Sequence, residues 1–256
     1  MADGKPKTPS EIEAMREAGK LAARVLRAAA AQVVPGLTTG ELDQTVAELL
    51  KSHGATSAFL GYRNFPGHCC ISVNEAVVHG IGDRRRLQFG DLVKLDIGVR
   101  HNGFVGDVAM SIAVGGCSAT AQKLMDVTAQ ALYEGISAAR HGARVSEVSA
   151  RIQKRVEGAG FSVVREFVGH GVGRSVHEDP QVPNYVDRRS DSRLKAGMTV
   201  AIEPMVNLGA AGVEVLADDW TVVTRDRQLS AHFEHTVLVT DGDPEILTRD
   251  ELPPLY

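Results

Sequence analysis

Four carboxylates stand where the surrounding residues are apolar and strand-like: Asp96 in LVKLDIGV, Asp107 in FVGDVAMSIAV, Glu203 in MTVAIEPMV and Glu234 in FEHTVLV. Acidic side chains are disfavoured both in strands and in unpaired burial, so each of these needs a counter-charge. Asn102-Gly103, between the first two, is the dipeptide that most strongly marks a two-residue hairpin turn. That turn predicts a ladder in which Asp96 faces Ala109. Side chains alternate with period two, so Asp107 shares the face of residue 109 and lies diagonally from Asp96, roughly 7–8 Å away. A one-residue slip would put the pair on opposite faces. Oxygen ligands joined by at least one imidazole suit a pair of divalent ions such as cobalt, manganese, iron or zinc, and four negative charges balance two such ions. One choice stays open on spacing alone, because Glu214 follows Glu203 at the interval at which Asp107 follows Asp96. Glu214 and Glu234 therefore both qualify.

His170 is the leading imidazole, because the glycines on both sides of it in GHGVG let the backbone approach other segments. His79 in VVHG and His177 in SVHEDP are further candidates. The same GHGVG string lacks the full glycine fingerprint and the later acidic residue of a dinucleotide site. Cys69-Cys70 lies in an apolar run without a nucleophile turn, which argues against a serine- or cysteine-type triad.

The elements that must hold these residues are legible in outline. Thr8-Pro9-Ser10-Glu11 is a capping box with proline at the first helical position, and it predicts a helix running to about residue 33, before Pro35-Gly36. A second box, Thr38 to Glu41, opens a helix with Leu42, Val46, Leu49 and Leu50 on one face and an end at Gly54. From residue 69 to 114 the texture is antiparallel strand, followed by helices over 119–140 and 146–157 and then by the strands FSVV, MTVAIEPMV, WTVV and FEHTVLVT. Helices then strands, twice over, predict an α+β fold of two similar halves. With no linker between them, residues 1–256 read as a single catalytic domain with a short N-terminal extension over about 1–8.

A 256-residue chain with 43% hydrophobic residues can bury a large core, and its net charge of -4 offers no general attraction to nucleic acid or to an anionic membrane. Arg84-Arg85-Arg86 and Arg188-Arg189 read as solvated loops, because no aromatic stacking platform accompanies them. Three cysteines cannot form a complete disulfide framework, and the N-terminus lacks a secretory apolar stretch, so a cytoplasmic protein without membrane contact is expected.

The strings LDIGV, NGFVGD, EFVGHGVGRSVHEDP, GMTVAIEPMV and LSAHFEHTVLVT, in this order and spacing, resemble the bacterial type I methionine aminopeptidases over nearly the whole chain. The resemblance implies the pita-bread fold, two pseudo-symmetric helix-plus-antiparallel-sheet halves around a dinuclear metal site. It implies Asp96, Asp107, His170, Glu203 and Glu234 as metal ligands, with Asp107 and Glu234 bridging, and so chooses against Glu214. The implied reaction is removal of the initiator methionine ahead of a small second residue, by attack of a bridging water or hydroxide, with the substrate's free amino group on a metal. Glu203 would shuttle the proton, and His79 and His177 would orient the peptide and stabilise developing charge. The methionine pocket would be lined by Tyr62, Phe65, Cys70, Val176 and Trp220, with His79 and His177 as further substrate-binding residues. Implied partners are nascent polypeptide N-termini, with transient ribosome association, for a monomeric enzyme. Two residues depart from the family pattern: Val176 stands where phenylalanine is usual, and His232 where glutamine is usual, two residues before Glu234 and hence on its strand face. Proline-specific relatives of the same fold generally carry a further N-terminal domain, whereas this pattern begins almost at once.

Overall fold

The computed structural model describes residues 4–187 and 191–249. Helix α1 (Pro9–Ala30) opens on the expected box, with the Thr8 hydroxyl accepting from the Glu11 N–H and the Glu11 carboxylate accepting from the Thr8 N–H. It ends at Ala30, three residues short of the expected boundary, and buries the stripe Met15, Ala18, Leu21, Ala22, Val25, Leu26 and Ala29. Helix α2 (Thr39–Ser52) has the second box, Thr38 with Glu41. Helices α3 (Ala119–Ile136) and α4 (Val145–Gly158) complete the set, α3 stopping before the expected residue 140.

Seven strands matter for the site: β1 (Cys70–Val73), β2 (Leu92–His101), β3 (Phe104–Ala113), β4 (Gly169–Gly171), β5 (Glu178–Val182), β6 (Thr199–Ile202) and β7 (Glu234–Leu238). The large sheet runs Thr56–Ser57, β2, β3, β7, β6, β4, β5, with β1 also paired to β2 and Glu245–Ile246 to β7. All of these pairings are antiparallel. Asn102 (φ 48) and Gly103 (φ 80) make the predicted turn, and the ladder has the predicted register, with Asp96 opposite Ala109 and Gly98 opposite Asp107.

The two halves repeat in detail. In the first, Gly36 N–H donates to the Leu87 carbonyl and Leu87 N–H to the Leu37 carbonyl; in the second, Gly142 donates to Leu194 and Leu194 to Ala143. The isolated bridges Thr38–Arg86 and Arg144–Arg193 recur at the same points, just before α2 and α4. One sheet face, with Leu95, Ile97, Val108 and Ile202, joins the helices in the main apolar core. The opposite face carries the carboxylates.

Arg84, Arg85 and Arg86 are exposed, as expected; Arg188 and Arg189 lie outside the described residues. Of the N-terminal extension, Gly4 packs against the Asp179–Pro180 backbone and Lys7 pairs with Glu178 at 3.0 Å. Among the described residues no helix is long and apolar enough to cross a membrane.

Candidate metal centre and its cavity

Strand register alone assembles the cluster. Ala109 of β3 faces Asp96 on one side and Glu234 on the other, and His235 faces Ile202, so Glu203, the residue after Ile202, falls beside Glu234. In the neighbouring row Asp107 faces Gly98, while His170 faces Ala201. Directly opposed residues share a face, so three carboxylates of one row and a carboxylate and an imidazole of the next converge over Gly98, Ala109 and Ala201, which are too small to fill the space. Asp107, His170 and Glu234 each offer a ligand atom within 4.8 Å of the others, and all three are buried. His170 Nε2 lies 3.3 Å from Glu203 Oε1 and 4.0 Å from Asp107 Oδ2.

One expectation about these segments is corrected. The strand predicted through MTVAIEPMV breaks at Glu203-Pro204, since proline has no N–H for the ladder, and resumes as Met205–Asn207 in a separate small sheet. GHG, to which the sequence assigned no element, is strand β4, inside the large sheet, where the glycines do let the backbone approach its neighbours as expected. Its glycines are needed there because a Cβ on Gly169 would strike the Ala201 carbonyl and one on Gly171 the Asp179 carbonyl.

Four carboxylates packed this closely cannot all remain charged without cations. Burial raises the carboxyl pKa of Asp96 well above its ordinary range, and the charge of Asp107 adds to it. Burial likewise raises Glu203 and Glu234, each further raised by its acidic neighbours, and lifts Asp107 to about 7. Asp96 Oδ1 and Asp107 Oδ1 are buried without a hydrogen-bond partner, a costly state that a cation would relieve. His170 is oriented for the same purpose: its Nδ1 lies 2.9 Å from the Gly171 carbonyl. Donation there leaves the Nε2 lone pair facing the carboxylates, the arrangement by which outer hydrogen bonds fix a ligand imidazole. Burial, with His177 nearby, lowers its pKa to about 3, so the lone pair is free at neutral pH. The residues present therefore fit divalent cations. Glu214, which spacing left open, is an exposed residue of the strand Val213–Val215, is paired with Arg227, and is not among the residues lining the cavity.

A cavity of about 830 Å³ opens onto this centre, lined by Tyr62, Phe65, Cys70, His79, His177 and Trp220 among others. Trp220 meets Phe65 edge-on at 5.0 Å, and Tyr62 stacks on His177 at 5.1 Å. The Gly61–Asn64 turn that presents Tyr62 and Phe65 has left-handed φ at Gly61, Arg63 and Asn64. His79 is also left-handed, at φ 60, and packs edge-on against Phe167 and Trp220. Burial lowers its pKa to about 4, so it faces the cavity as a neutral imidazole. Val176 is 1% exposed and packs in the same apolar cluster as the cavity-lining Phe65 and Cys70.

Sequence reasoning did not single out Phe59, Arg63, Phe167 or Glu178, which also line the cavity. Phe167 and Glu178 lay inside the motif EFVGHGVGRSVHEDP, beside His170 and His177, and adjacency was the available signal. Lys94, flanked by Val93 and Leu95 in β2, was also missed as a buried charge; it is 1% exposed and donates to the Asn74 carbonyl at 2.7 Å.

The model of metallopeptidase family M24 matches residues 13–241. The chain belongs to that family. It is 49% identical over 243 residues to methionine aminopeptidase 1 of Bacillus subtilis, covering 95% of this chain and 98% of that one. The crystal structure of methionine aminopeptidase from Thermotoga maritima superposes with a TM-score of 0.93 at 44% identity, covering 96% of this chain and 99% of that one. Prolidase from Pyrococcus furiosus shares the fold more distantly, with a TM-score of 0.78 at 25% identity, and this chain spans only 66% of its length. The fold is thus the M24 pita-bread arrangement, and the family's use of divalent metal agrees with the cluster of Asp107, His170 and Glu234.

Proposed function

We propose that this M24 metallopeptidase is a methionyl aminopeptidase, a hydrolase removing the N-terminal initiator methionine from proteins and peptides whose second residue is small. The observation carrying this reading is that the buried carboxylate–imidazole centre opens directly into a pocket walled by Tyr62, Phe65, Cys70 and Trp220, a surface suited to a polarisable thioether. Near-full-length similarity to the Bacillus subtilis enzyme supports it.

Asp96, Asp107, His170, Glu203 and Glu234 would hold two divalent ions, drawn from cobalt, manganese, iron or zinc. Such ions lower the pKa of water to near neutrality and polarise a carbonyl. Glu203 would move the proton; its side chain is only 13% exposed, lines the cavity and stands beside His170. His79 and His177, both with pKa values lowered mainly by burial, act as neutral donors that orient the peptide and stabilise charge on its carbonyl oxygen. The chain acts as one catalytic domain, a monomer in the cytoplasm, meeting nascent chains by transient association with the ribosome.

The test is hydrolysis of Met-Ala-Ser, Met-Lys-Ser and Ala-Pro peptides by the purified chain, with each divalent metal added in turn. Met-Ala-Ser should be cleaved and the other two hardly at all. Faster cleavage of Ala-Pro would make the protein a proline-specific member of its family, and equal rates for Met-Ala-Ser and Met-Lys-Ser would remove the small-residue requirement.

A further inference from the structure

His232 was expected on the strand face of Glu234. The strand is interrupted at Phe233, so that Ser230–His232 pairs with Met205–Asn207 in the small sheet while Glu234 opens β7. The backbone of His232 is fixed on both sides. Its N–H donates to Ser111 Oγ at 2.9 Å, the same hydroxyl donates back to its carbonyl at 2.9 Å, and it sits opposite Met205 in the ladder. The ring is held in the interior, with the residue 1% exposed, yet neither Nδ1 nor Nε2 has a hydrogen-bond partner among the described residues. The acidic oxygen within ion-pair reach of it is Glu203 Oε2, 3.8 Å from Nε2, while His170 Nε2 stands 3.3 Å from Oε1 of the same carboxyl. Glu203 is therefore bracketed by two imidazoles, one on each oxygen.

A buried donor left unmade is costly, and hydrogen bonds form at about 2.7–3.2 Å, so a closure of under about 1 Å satisfies both groups. We infer that His232 is a positioning residue: as the Nε2–H tautomer it donates to Glu203 Oε2 and holds that carboxyl in the rotamer that keeps Oε1 beside His170. This rests on the proposed role of Glu203. The glutamine usual here in the family also carries an N–H donor, so the histidine preserves the donor while replacing a flexible amide with a rigid ring.

The test compares His232→Gln and His232→Leu. Outer hydrogen-bond partners of metal ligands are worth about 10- to 100-fold. His232→Leu should therefore lower kcat by about that factor with KM for Met-Ala-Ser nearly unchanged, and should weaken manganese binding, measured by calorimetry, by a similar factor. His232→Gln should restore both. In the wild-type protein, nitrogen NMR of the ring should show the proton on Nε2, a readout that needs no variant to fold. A proton on Nδ1, or wild-type kcat and manganese affinity in His232→Leu, would overturn the inference. Failure of the Glu203 reading shows separately, as undiminished turnover in Glu203→Gln.

Discussion

Removing one charge from the acidic cluster should make the metal-free protein more stable while making the enzyme inactive. The perturbation is Asp107→Asn. Burial raises the Asp107 carboxyl from its ordinary 3.8 to about 7, so between those values the folded protein binds a proton that the unfolded chain has released. Stability is then present below about pH 4 and is lost as pH rises to about 7. A span of that width is worth about 4 kcal/mol, on the order of 10 °C in Tm for a chain of this size. The loss should be larger in practice, because Asp107 also raises Asp96, Glu203 and Glu234. Thermal denaturation in chelator should therefore show wild-type Tm falling from pH 5 to pH 8, with Asp107→Asn falling much less and standing above wild type at pH 8. Divalent metal should reverse the order at pH 8, since it stabilises only the protein that binds it. In the presence of metal, turnover of Met-Ala-Ser by the variant should drop at least about 100-fold, the scale on which preorganised charge acts in catalysis. Metal-free wild-type protein equally stable at pH 5 and pH 8 would refute the electrostatic reasoning, and a variant with normal turnover would refute the role of Asp107.

Lys94→Met should raise stability at pH 7. Burial lowers the amine from 10.5 to about 7, so wild-type stability rises with pH between those values; the net gain should be about 2 kcal/mol after the Asn74 carbonyl loses its donor, and the alkaline slope should flatten in urea titrations. Val176→Phe inserts a ring into a fully packed cluster and should cost about 1–3 kcal/mol of stability. Where the ring emerges beside Phe65 it narrows the cavity, so the preference for methionine over leucine should sharpen, as kcat/KM for the two tripeptides would report. His79→Ala should lower kcat by about 100- to 1,000-fold, and an undiminished kcat would remove His79 from the mechanism.

What the sequence determined by itself were features with local causes. Capping boxes set the starts of α1 and α2 because their hydrogen bonds span only three residues. Asn102-Gly103 set the β2–β3 register, and with it the shared face of Asp96 and Asp107, because a two-residue turn leaves the ladder no freedom. The wider ligand set came from resemblance, since spacing could not separate Glu214 from Glu234. The tertiary structure brings Glu234, and not Glu214, beside Glu203, because the strands bearing Glu203 and Glu234 meet through a pairing between distant segments, and no local periodicity encodes which strands become neighbours. For the same reason tertiary structure alone made GHG a strand, brought His232 to Glu203, and packed Val176 in one cluster with Phe65 and Cys70. Each depends on which backbone lies across the gap, a matter of packing between chain segments that are far apart in sequence.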